Sequence, residues 1–370
     1  MATATKTKDS NTTLTIPRET LLHAVAAAGR AVVGAKSPKP ILRNVRIGDG
    51  LVTGTDLELR IDVAIAEHCE AFLVPAERLL AILRSSSADE VTLTAGKTSV
   101  TVRCGLGSWT LPTEDPLEYP VWEPADLAAV ARLPADQFAR AAKATIYATD
   151  NESSRFALGG VLLEVKGGDP TFVATDGRRL SLVETETDQA VDDRLVIVPS
   201  RVMVAAAGMA TGDGSVQIEA NAHEVRFELD GVTLTGRLTE GRYPRWRDVV
   251  GEPEGDATTL DVKELLTAVQ SAAIVTSEQS KGVKLTWTSD TLVLSGQSSE
   301  YGESVVKCEV IAAGTCSPTK LDPKFLVDFL KNLPNDEEPH VDIYAKDPQS
   351  RVLLKCGPYT GVIMPLAEDA

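Results

Sequence analysis

The sequence has little of what catalytic, metal-binding and membrane-spanning proteins depend on. Only 5% of its 370 residues are aromatic, it has four histidines and five cysteines, and no apolar run is long enough to span a bilayer. The cysteines form no C-x-x-C pair and no histidine has a partner at metal-ligand spacing, which argues against zinc and against a disulfide framework. Phosphate-loop, dinucleotide-binding and nucleophile-elbow motifs are also missing from the sequence. We therefore expect no metal and no cofactor.

The chain also lacks an excess of positive charge. Its net charge is −16, and 43% of its residues are hydrophobic, as in an acidic globular protein. The first ten residues contain no hydrophobic segment of the signal-peptide type, so we expect a cytoplasmic protein with no membrane partner.

What the sequence does contain is a pattern that occurs three times. A short apolar segment leads into an amphipathic helix start at residues 16–22 (IPRETLL), 133–139 (LPADQFA) and 260–266 (LDVKELL). A related phrase lies about midway through each repeat, at residues 74–80, 198–203 and 321–326. The three phrases start more than 100 residues apart, at residues 16, 133 and 260, so each repeat is large enough to bury a core. The chain is therefore predicted to form three domains of two half-units each.

Within each half-unit the hydrophobic period changes from that of a helix to that of a strand. Alternating segments follow the helices at residues 91–94, 99–103, 215–219, 225–229 and 284–287. The predicted fold class is α+β, with one helix covering a few antiparallel strands in every half-unit. The predicted domains are residues 1–125, 126–252 and 253–370.

Two further phrases have two interpretations each. Residues 172–182 read as a strand that breaks at Asp176 and Gly177 and resumes with Arg178 and Arg179, which is typical of a hairpin turn but also places charged groups together. Residues 359–366 end in Met-Pro-Leu, and they form either a last core strand or the wall of a binding groove.

Together these residues resemble the family of bacterial DNA sliding clamps, the beta subunit of DNA polymerase III. The resemblance rests on the threefold repeat and on five phrases that occur in order from about residue 14 to residue 366. They are residues 40–44 (PILRN), 55–58 (TDLE), 174–180 (ATDGRRL), 241–244 (GRYP) and 362–366 (VIMPL).

This resemblance implies a head-to-tail homodimer that closes into a ring around duplex DNA, with helices lining the hole and sheets outside. A closed ring cannot leave DNA sideways, so weak contacts with phosphates suffice and no sequence is read. The acidic net charge does not forbid this, because the Debye length is about 8 Å at physiological salt and screens the outer carboxylates. The implied partners are DNA polymerase III, its clamp loader and other proteins that carry a clamp-binding motif.

The resemblance also implies three sets of site residues. A groove for partner peptides would be formed by Leu158, Thr175, Gly177, Arg179, Leu180, Pro244, Val249, Val362, Met364, Pro365 and Leu366, with Thr175 and Arg179 orienting the peptide. DNA would be contacted by Lys36, Lys39, Arg155, Phe156 and Arg201. The dimer interface would use Arg78, Arg84, Ile274, Val275, Glu300 and Glu303.

The sequence departs from the family pattern at two places near the groove. Asp248 stands where a basic residue is common, and residues 367–370 (AEDA) follow where the family tends to end with a basic and an apolar residue. Both changes add negative charge, so binding of acidic peptides is expected to be weakened.

Two other functions are compatible with the same sequence. One is an α+β enzyme whose active site lies near Asp176, Arg178 and Arg179. The other is a monomeric scaffold of repeated domains.

Overall fold

The structure is a computed structural model, which describes residues 12–34, 37–123, 125–150, 156–187, 192–277, 282–334 and 339–367. Its α-helices are α1 (Arg18–Ala28), α2 (Ala76–Ser85), α3 (Ala135–Ile146), α4 (Ser200–Ala207), α5 (Trp246–Val250), α6 (Val262–Ala272) and α7 (Pro323–Lys331). Its strands are β1 (Thr12–Pro17), β2 (Asn44–Gly48), β3 (Leu51–Thr55), β4 (Leu59–Ala64), β5 (Phe72–Pro75), β6 (Glu90–Ala95), β7 (Ser99–Cys104), β8 (Gly107–Pro112), β9 (Ala128–Pro134), β10 (Gly160–Lys166), β11 (Asp169–Thr175), β12 (Arg179–Glu184), β13 (Arg194–Pro199), β14 (Ser215–Ala220), β15 (Glu224–Leu229), β16 (Val232–Arg237), β17 (Thr258–Asp261), β18 (Val283–Trp287), β19 (Thr291–Ser298), β20 (Gly302–Glu309), β21 (Thr319–Leu321), β22 (His340–Ala345), β23 (Val352–Cys356) and β24 (Tyr359–Ile363).

One order of elements occurs six times along this chain. A strand leads into a helix, and three further strands follow it, so that the first half-unit is β1-α1-β2-β3-β4 and the sixth is β21-α7-β22-β23-β24. Only the short helix α5 lies outside this order among the described residues. The paired strands are antiparallel, which confirms the predicted α+β class and the predicted half-units.

The helix starts show how the repeated phrases work. Pro17, Pro75 and Pro134 are N-cap residues that end a strand, whereas Pro323 occupies the first turn of α7. In the third repeat an aspartate replaces the cap proline. The Asp261 carboxylate accepts hydrogen bonds from the backbone N–H groups of Lys263 and Glu264, at 2.8 and 2.9 Å.

We expect the substitution Asp261→Ala to lower the free energy of unfolding by about 1 kcal/mol, because two helix N–H groups lose their acceptor. Asp261→Asn retains an acceptor oxygen and serves as the control. Urea denaturation followed by circular dichroism measures both variants, and equal losses in the two would contradict the capping role.

The chain folds into two compact units. Unit 1 comprises residues 1–129 and 208–237, with helices α1 and α2 packed on each other. It contains a four-stranded sheet, β1-β6-β7-β8, and a sheet in which β5-β2-β3-β4 continues through β16-β15-β14. The pair β4 and β16 therefore joins strands of the first and second repeats in one sheet.

Unit 2 comprises residues 130–207 and 238–370. Helices α3 and α4 pack together, as do α6 and α7. One sheet has the order β13-β10-β11-β12-β24-β23-β22-β17, and the other has the order β20-β19-β18-β21. Here the pair β12 and β24 joins strands of the second and third repeats, with Leu180 opposite Val362.

The two faces of the large sheet in unit 2 have different neighbours. The Ser181 hydroxyl donates to the backbone oxygen of Ala144 on α3, at 2.6 Å, and a Cβ on Gly361 would lie 2.7 Å from the Phe329 ring of α7. Both residues thus face the helices. Since neighbouring residues of a strand point to opposite faces, Leu180 and Val362 face away from the helices.

Candidate functional site

The turn between β11 and β12 is held by its own side chains. The Thr175 hydroxyl donates to the Arg179 backbone oxygen at 2.6 Å and accepts from the Gly177 N–H at 3.1 Å. One Asp176 carboxylate oxygen accepts from the N–H groups of Arg178 and Arg179, both at 2.9 Å. Gly177 has a φ of +86°, a backbone conformation that favours glycine. The hairpin interpretation of this phrase is therefore confirmed.

The Arg179 side chain is folded into the protein. Its guanidinium contacts the carboxylates of Asp176 at 3.0 Å and Asp328 at 2.6 Å, and it donates to the Tyr147 backbone oxygen at 2.6 Å. It also stacks on the Phe325 ring, 4.6 Å from its centroid, and only 10% of the side chain is exposed. Both the Thr175 and the Arg179 side chains bond to their own chain and position the turn, and their role in orienting a peptide stays a prediction.

The first repeat contains the same turn without the arginine. Thr55 donates to the Leu59 backbone oxygen at 2.9 Å, and Asp56 accepts from the N–H groups of Glu58 and Leu59. Where the second repeat has Arg179, the first has Leu59, which is 1% exposed. The turn itself does not require an arginine, so Arg179 serves the contact with α7.

The C-terminal phrase combines both predicted interpretations. Val362 and Ile363 are buried in strand β24, whereas Met364 is 41% exposed. Beyond the strand, the Met364 N–H donates to the Arg178 backbone oxygen at 2.9 Å, and the Leu366 N–H donates to that of Lys320 at 2.8 Å. The segment is thus a core strand that continues into an anchored, partly exposed apolar surface.

The segment at residues 241–250, a loop that ends in helix α5, covers part of the sheet face that points away from α3 and α7. Tyr243 is buried in one cluster with Leu180 and Val362, and its hydroxyl donates to the Val173 backbone oxygen at 3.2 Å. Burial raises the pKa of Tyr243, so the phenol stays protonated and keeps this hydrogen bond. Beside the loop lies a cavity of about 490 Å³. It is lined by Leu162, Glu164, Leu195 and residues 241–248.

The structure brings most of the predicted groove residues to this region of unit 2. Leu180 and Val362 form its buried floor, next to Tyr243. Pro244, Val249 and Met364 are exposed above it, and Pro365 and Leu366 are half-buried. Leu158 is 4% exposed and follows Ala157, which packs on the same cluster. The result is an apolar floor with an exposed apolar rim, which is the surface that a short peptide with apolar side chains needs.

Several residues of this region were not assigned to the site from the sequence. They are Tyr147, Glu164, Tyr243, Trp246, Phe325 and Asp328. One signal was available, because the Tyr-Pro-x-Trp phrase at residues 243–246 also occurs at 119–122. Asp328 and Phe325 lie about 150 positions from Arg179 in the sequence. No local sequence pattern predicts that their side chains contact Arg179.

The predicted DNA contacts are only partly described. Lys36 and Arg155 lie outside the described residues, as does the side chain of Phe156. Lys39 and Arg201 are exposed, and Arg201 lies in the first turn of α4. Sequence reasoning missed two further exposed cations on α3, Arg140 and Lys143.

The predicted interface residues are exposed at two places. Arg78 and Arg84 are exposed on α2 in unit 1. In unit 2 Glu300 and Glu303 are exposed at the hairpin of β19 and β20, Ile274 is 79% exposed and Val275 is half-buried. The turn Ala273–Val275 packs against β20.

These features define a protein of tandem clamp-type domains with an apolar surface on unit 2. Family models agree, and they match almost the whole chain. The N-terminal, central and C-terminal domains of the DNA polymerase III beta subunit match residues 12–123, 132–245 and 250–362, respectively.

Individual relatives give the same result. The beta sliding clamp of Escherichia coli K12 is 26% identical over 329 residues, covering 86% of this chain and 90% of the relative. That of Haemophilus influenzae is 27% identical over 331 residues, covering 86% and 89%. A crystal structure of the Pseudomonas aeruginosa sliding clamp superposes with a TM-score of 0.88 at 25% identity, covering 96% of this chain and all of that one. The chain belongs to the DNA polymerase III beta subunit family, and its function is that of a DNA sliding clamp.

The alternative of an enzyme near Asp176, Arg178 and Arg179 is not supported. The Asp176 carboxylate is bonded to the turn and to Arg179, and the family is one of processivity factors. Across the described residues, no helix is both long and apolar enough to cross a membrane.

Proposed function

We propose that two copies of this chain associate head to tail and close into a ring that encircles duplex DNA. The ring slides on DNA without reading its sequence and tethers DNA polymerase III and other DNA-processing proteins through the apolar groove. It is loaded by a clamp loader, acts in the cytoplasm and catalyses no reaction itself. Its three domains are residues 1–125, 126–252 and 253–370.

The pairing of the last strands in the half-units carries this proposal. The last strand of half-unit 1 pairs with that of half-unit 4, as β4 with β16, and half-unit 3 pairs with half-unit 6, as β12 with β24. Half-units 2 and 5 end in β8 and β20, and each of these strands is the edge of a four-stranded sheet in the described part of the chain. In both pairs the partner lies three half-units further along the chain. Applied to half-unit 5, the same spacing would pair its β20 with β8 in half-unit 2 of the next copy. Such a heterologous contact closes a ring when the rotation between neighbouring copies brings the last copy back to the first.

Exposed strand edges support this pairing physically. An edge strand offers a row of unpaired backbone N–H and C=O groups, which favours addition of another strand. In the assembled ring, Ile274 and Val275 would form the apolar centre beside β20, while Arg78 and Arg84 would face Glu300 and Glu303. The ion pairs contribute about 0 to 1 kcal/mol each, so apolar burial and strand pairing dominate.

Contact with DNA is proposed for cations on the helices and in the loops beside them, together with Phe156. Lys36, Lys39, Arg155, Phe156 and Arg201 are the residues proposed from the sequence, and the positions of Arg140 and Lys143 on α3 add two. Salt screens the acidic outer surface over about 8 Å, so these few cations suffice for weak, sliding contact.

Retention on DNA tests the ring directly. Light scattering should give twice the chain mass of 39.4 kDa. Once loaded, the protein should stay on circular duplex DNA and leave linear DNA of the same length. A single-chain mass together with equal loss from both DNA forms would favour the monomeric scaffold instead.

We expect the substitution Met364→Ala to weaken binding of a labelled peptide with a Leu-Phe pair about tenfold. The exposed methionine loses apolar contact area on the groove rim, at about 25 cal/mol per Å². Fluorescence anisotropy measures the affinity. Leu117→Ala, which removes an 89% exposed side chain in unit 1, is the matched control and should leave the affinity unchanged. Unchanged affinity in Met364→Ala would rule out this groove.

A further inference from the structure

The cavity beside the groove is bordered by positive charge in a strongly acidic protein. Its lining includes three arginines in one stretch of six residues, Arg242, Arg245 and Arg247, although the whole chain carries a net charge of −16. We propose that this cavity binds an acidic segment that flanks the apolar anchors of a partner peptide. The proposal rests on the peptide groove proposed above and extends it to a second contact.

Two of the three arginines are available to a ligand. Arg247 contacts the Glu164 carboxylate at 2.6 Å, so its charge is already balanced. Arg242 and Arg245 are exposed, and neither has an ion-pair partner in the part of the chain that the structure describes. Asp248 is the other carboxylate of the lining, which leaves a positive balance at the cavity.

A matched segment in unit 1 shows that the fold does not need these arginines. Residues 118–123 (EYPVWE) correspond to residues 242–247 (RYPRWR). The hydroxyl of Tyr119 donates to the backbone oxygen of Asn44 at 3.1 Å and lies 3.5 Å from that of Thr53, at the place where the Tyr243 hydroxyl meets Val173. The first segment makes the same buried contact with Glu118, Val121 and Glu123 in place of arginine. The positive charge of the second segment is therefore a property of its surface and serves a ligand.

The position of the cavity favours a peptide over a nucleic acid. The loop packs through Tyr243 on Leu180 and Val362, which point away from the helices that would face DNA. The Trp246 ring is covered on one face by the Arg247 guanidinium, 4.0 Å from its centroid, and it packs against the buried cluster of Leu180 and Tyr243, which disfavours stacking of a base on it. Exposed Leu195 and Pro244 border the cavity and suit an extended chain that leaves the groove.

Peptides that differ only in their flanks test this proposal. Labelled peptides with a constant Leu-Phe pair carry three Glu or three Gln residues on the N-terminal or the C-terminal side. In 50 mM NaCl the wild-type protein should bind one of the Glu-flanked peptides about fivefold more tightly than its Gln counterpart. This preference is equivalent to about 1 kcal/mol, as expected for two exposed ion pairs. It should shrink in 500 mM NaCl because the charges are exposed.

The double variant Arg242→Gln/Arg245→Gln should reduce this preference to less than twofold and keep the affinity for Gln-flanked peptides. Its control is Lys324→Gln/Lys331→Gln, which removes two exposed charges from α7 on the helix side of the sheet and should keep the preference.

Three results would overturn the proposal. They are equal binding of Glu-flanked and Gln-flanked peptides by the wild type, a preference that survives in the arginine double variant, and a preference lost equally in the lysine control. Binding of a dT12 oligonucleotide is measured for the same variants. If the arginine double variant loses this binding but keeps its preference for Glu-flanked peptides, the arginines bind nucleic acid. If no peptide binds the wild type, the groove fails and the cavity proposal fails with it, whereas binding without a charge preference overturns the cavity alone.

Discussion

Ile274→Asp should convert the dimer into monomers and abolish retention on circular DNA. Ile274 is 79% exposed, so the substitution leaves the core of the single chain intact. In the proposed ring this side chain is buried beside β20. Loss of its burial costs about 2 kcal/mol, and an unpaired carboxylate in an apolar contact adds about 1 to 3 kcal/mol. Dimerisation should therefore weaken at least 100-fold.

Sedimentation or light scattering at micromolar concentration measures the dimer, and release from circular DNA measures the ring. Ile311→Asp is the matched control, because Ile311 is also in unit 2 and 54% exposed, and it should remain dimeric. A stable Ile274→Asp dimer would place the interface elsewhere.

Arg179→Ala should be the most destabilising single substitution proposed here. It removes the contacts with Asp176, Asp328 and the Tyr147 backbone oxygen, and Asp328, whose side chain is 28% exposed in the intact protein, loses its paired cation. Removing one partner of a largely buried ion pair costs about 3 to 5 kcal/mol. The melting temperature should fall by roughly 6 to 20 °C, on the usual scale of about 2 to 4 °C per kcal/mol.

Arg178→Ala is the natural control for this experiment, because Arg178 is the preceding residue and its side chain is exposed. Its melting temperature should stay close to that of the wild type. In the double variant Arg179→Ala/Asp328→Ala the loss of stability should be smaller than the sum of the losses in the two single variants. The reason is that Asp328→Ala removes the carboxylate that Arg179→Ala leaves without its ion-pair partner. Strictly additive losses would show that the two groups do not interact in solution.

The sequence was sufficient for the local architecture. Cap residues such as Pro17 and Asp261 mark the start of helices, and alternation at residues 225–229 marks a strand, because both signals depend on near neighbours. The apolar rim at Met364 could also be placed, through the resemblance to a family.

Long-range pairing could not be read in the same way. The contact of Arg179 with Asp328 and the pairing of β12 with β24 join segments that are far apart in the chain, and each partner looks like an ordinary turn or strand by itself. The charge near the groove was considered at Asp248 alone, without Arg242 and Arg245. Only the cavity shows that these residues share one surface.

The place of β24 in its sheet has a consequence for synthesis on the ribosome. Unit 1 has its β16 strand once residue 237 has emerged, but the large sheet of unit 2 has β24 near its middle, between β12 and β23. Until residue 363 has been translated, β12 has an open edge and Leu180 lacks its partner Val362. The nascent chain therefore carries an unfinished apolar surface through about the second half of translation, and it becomes competent to bind a peptide only at the end.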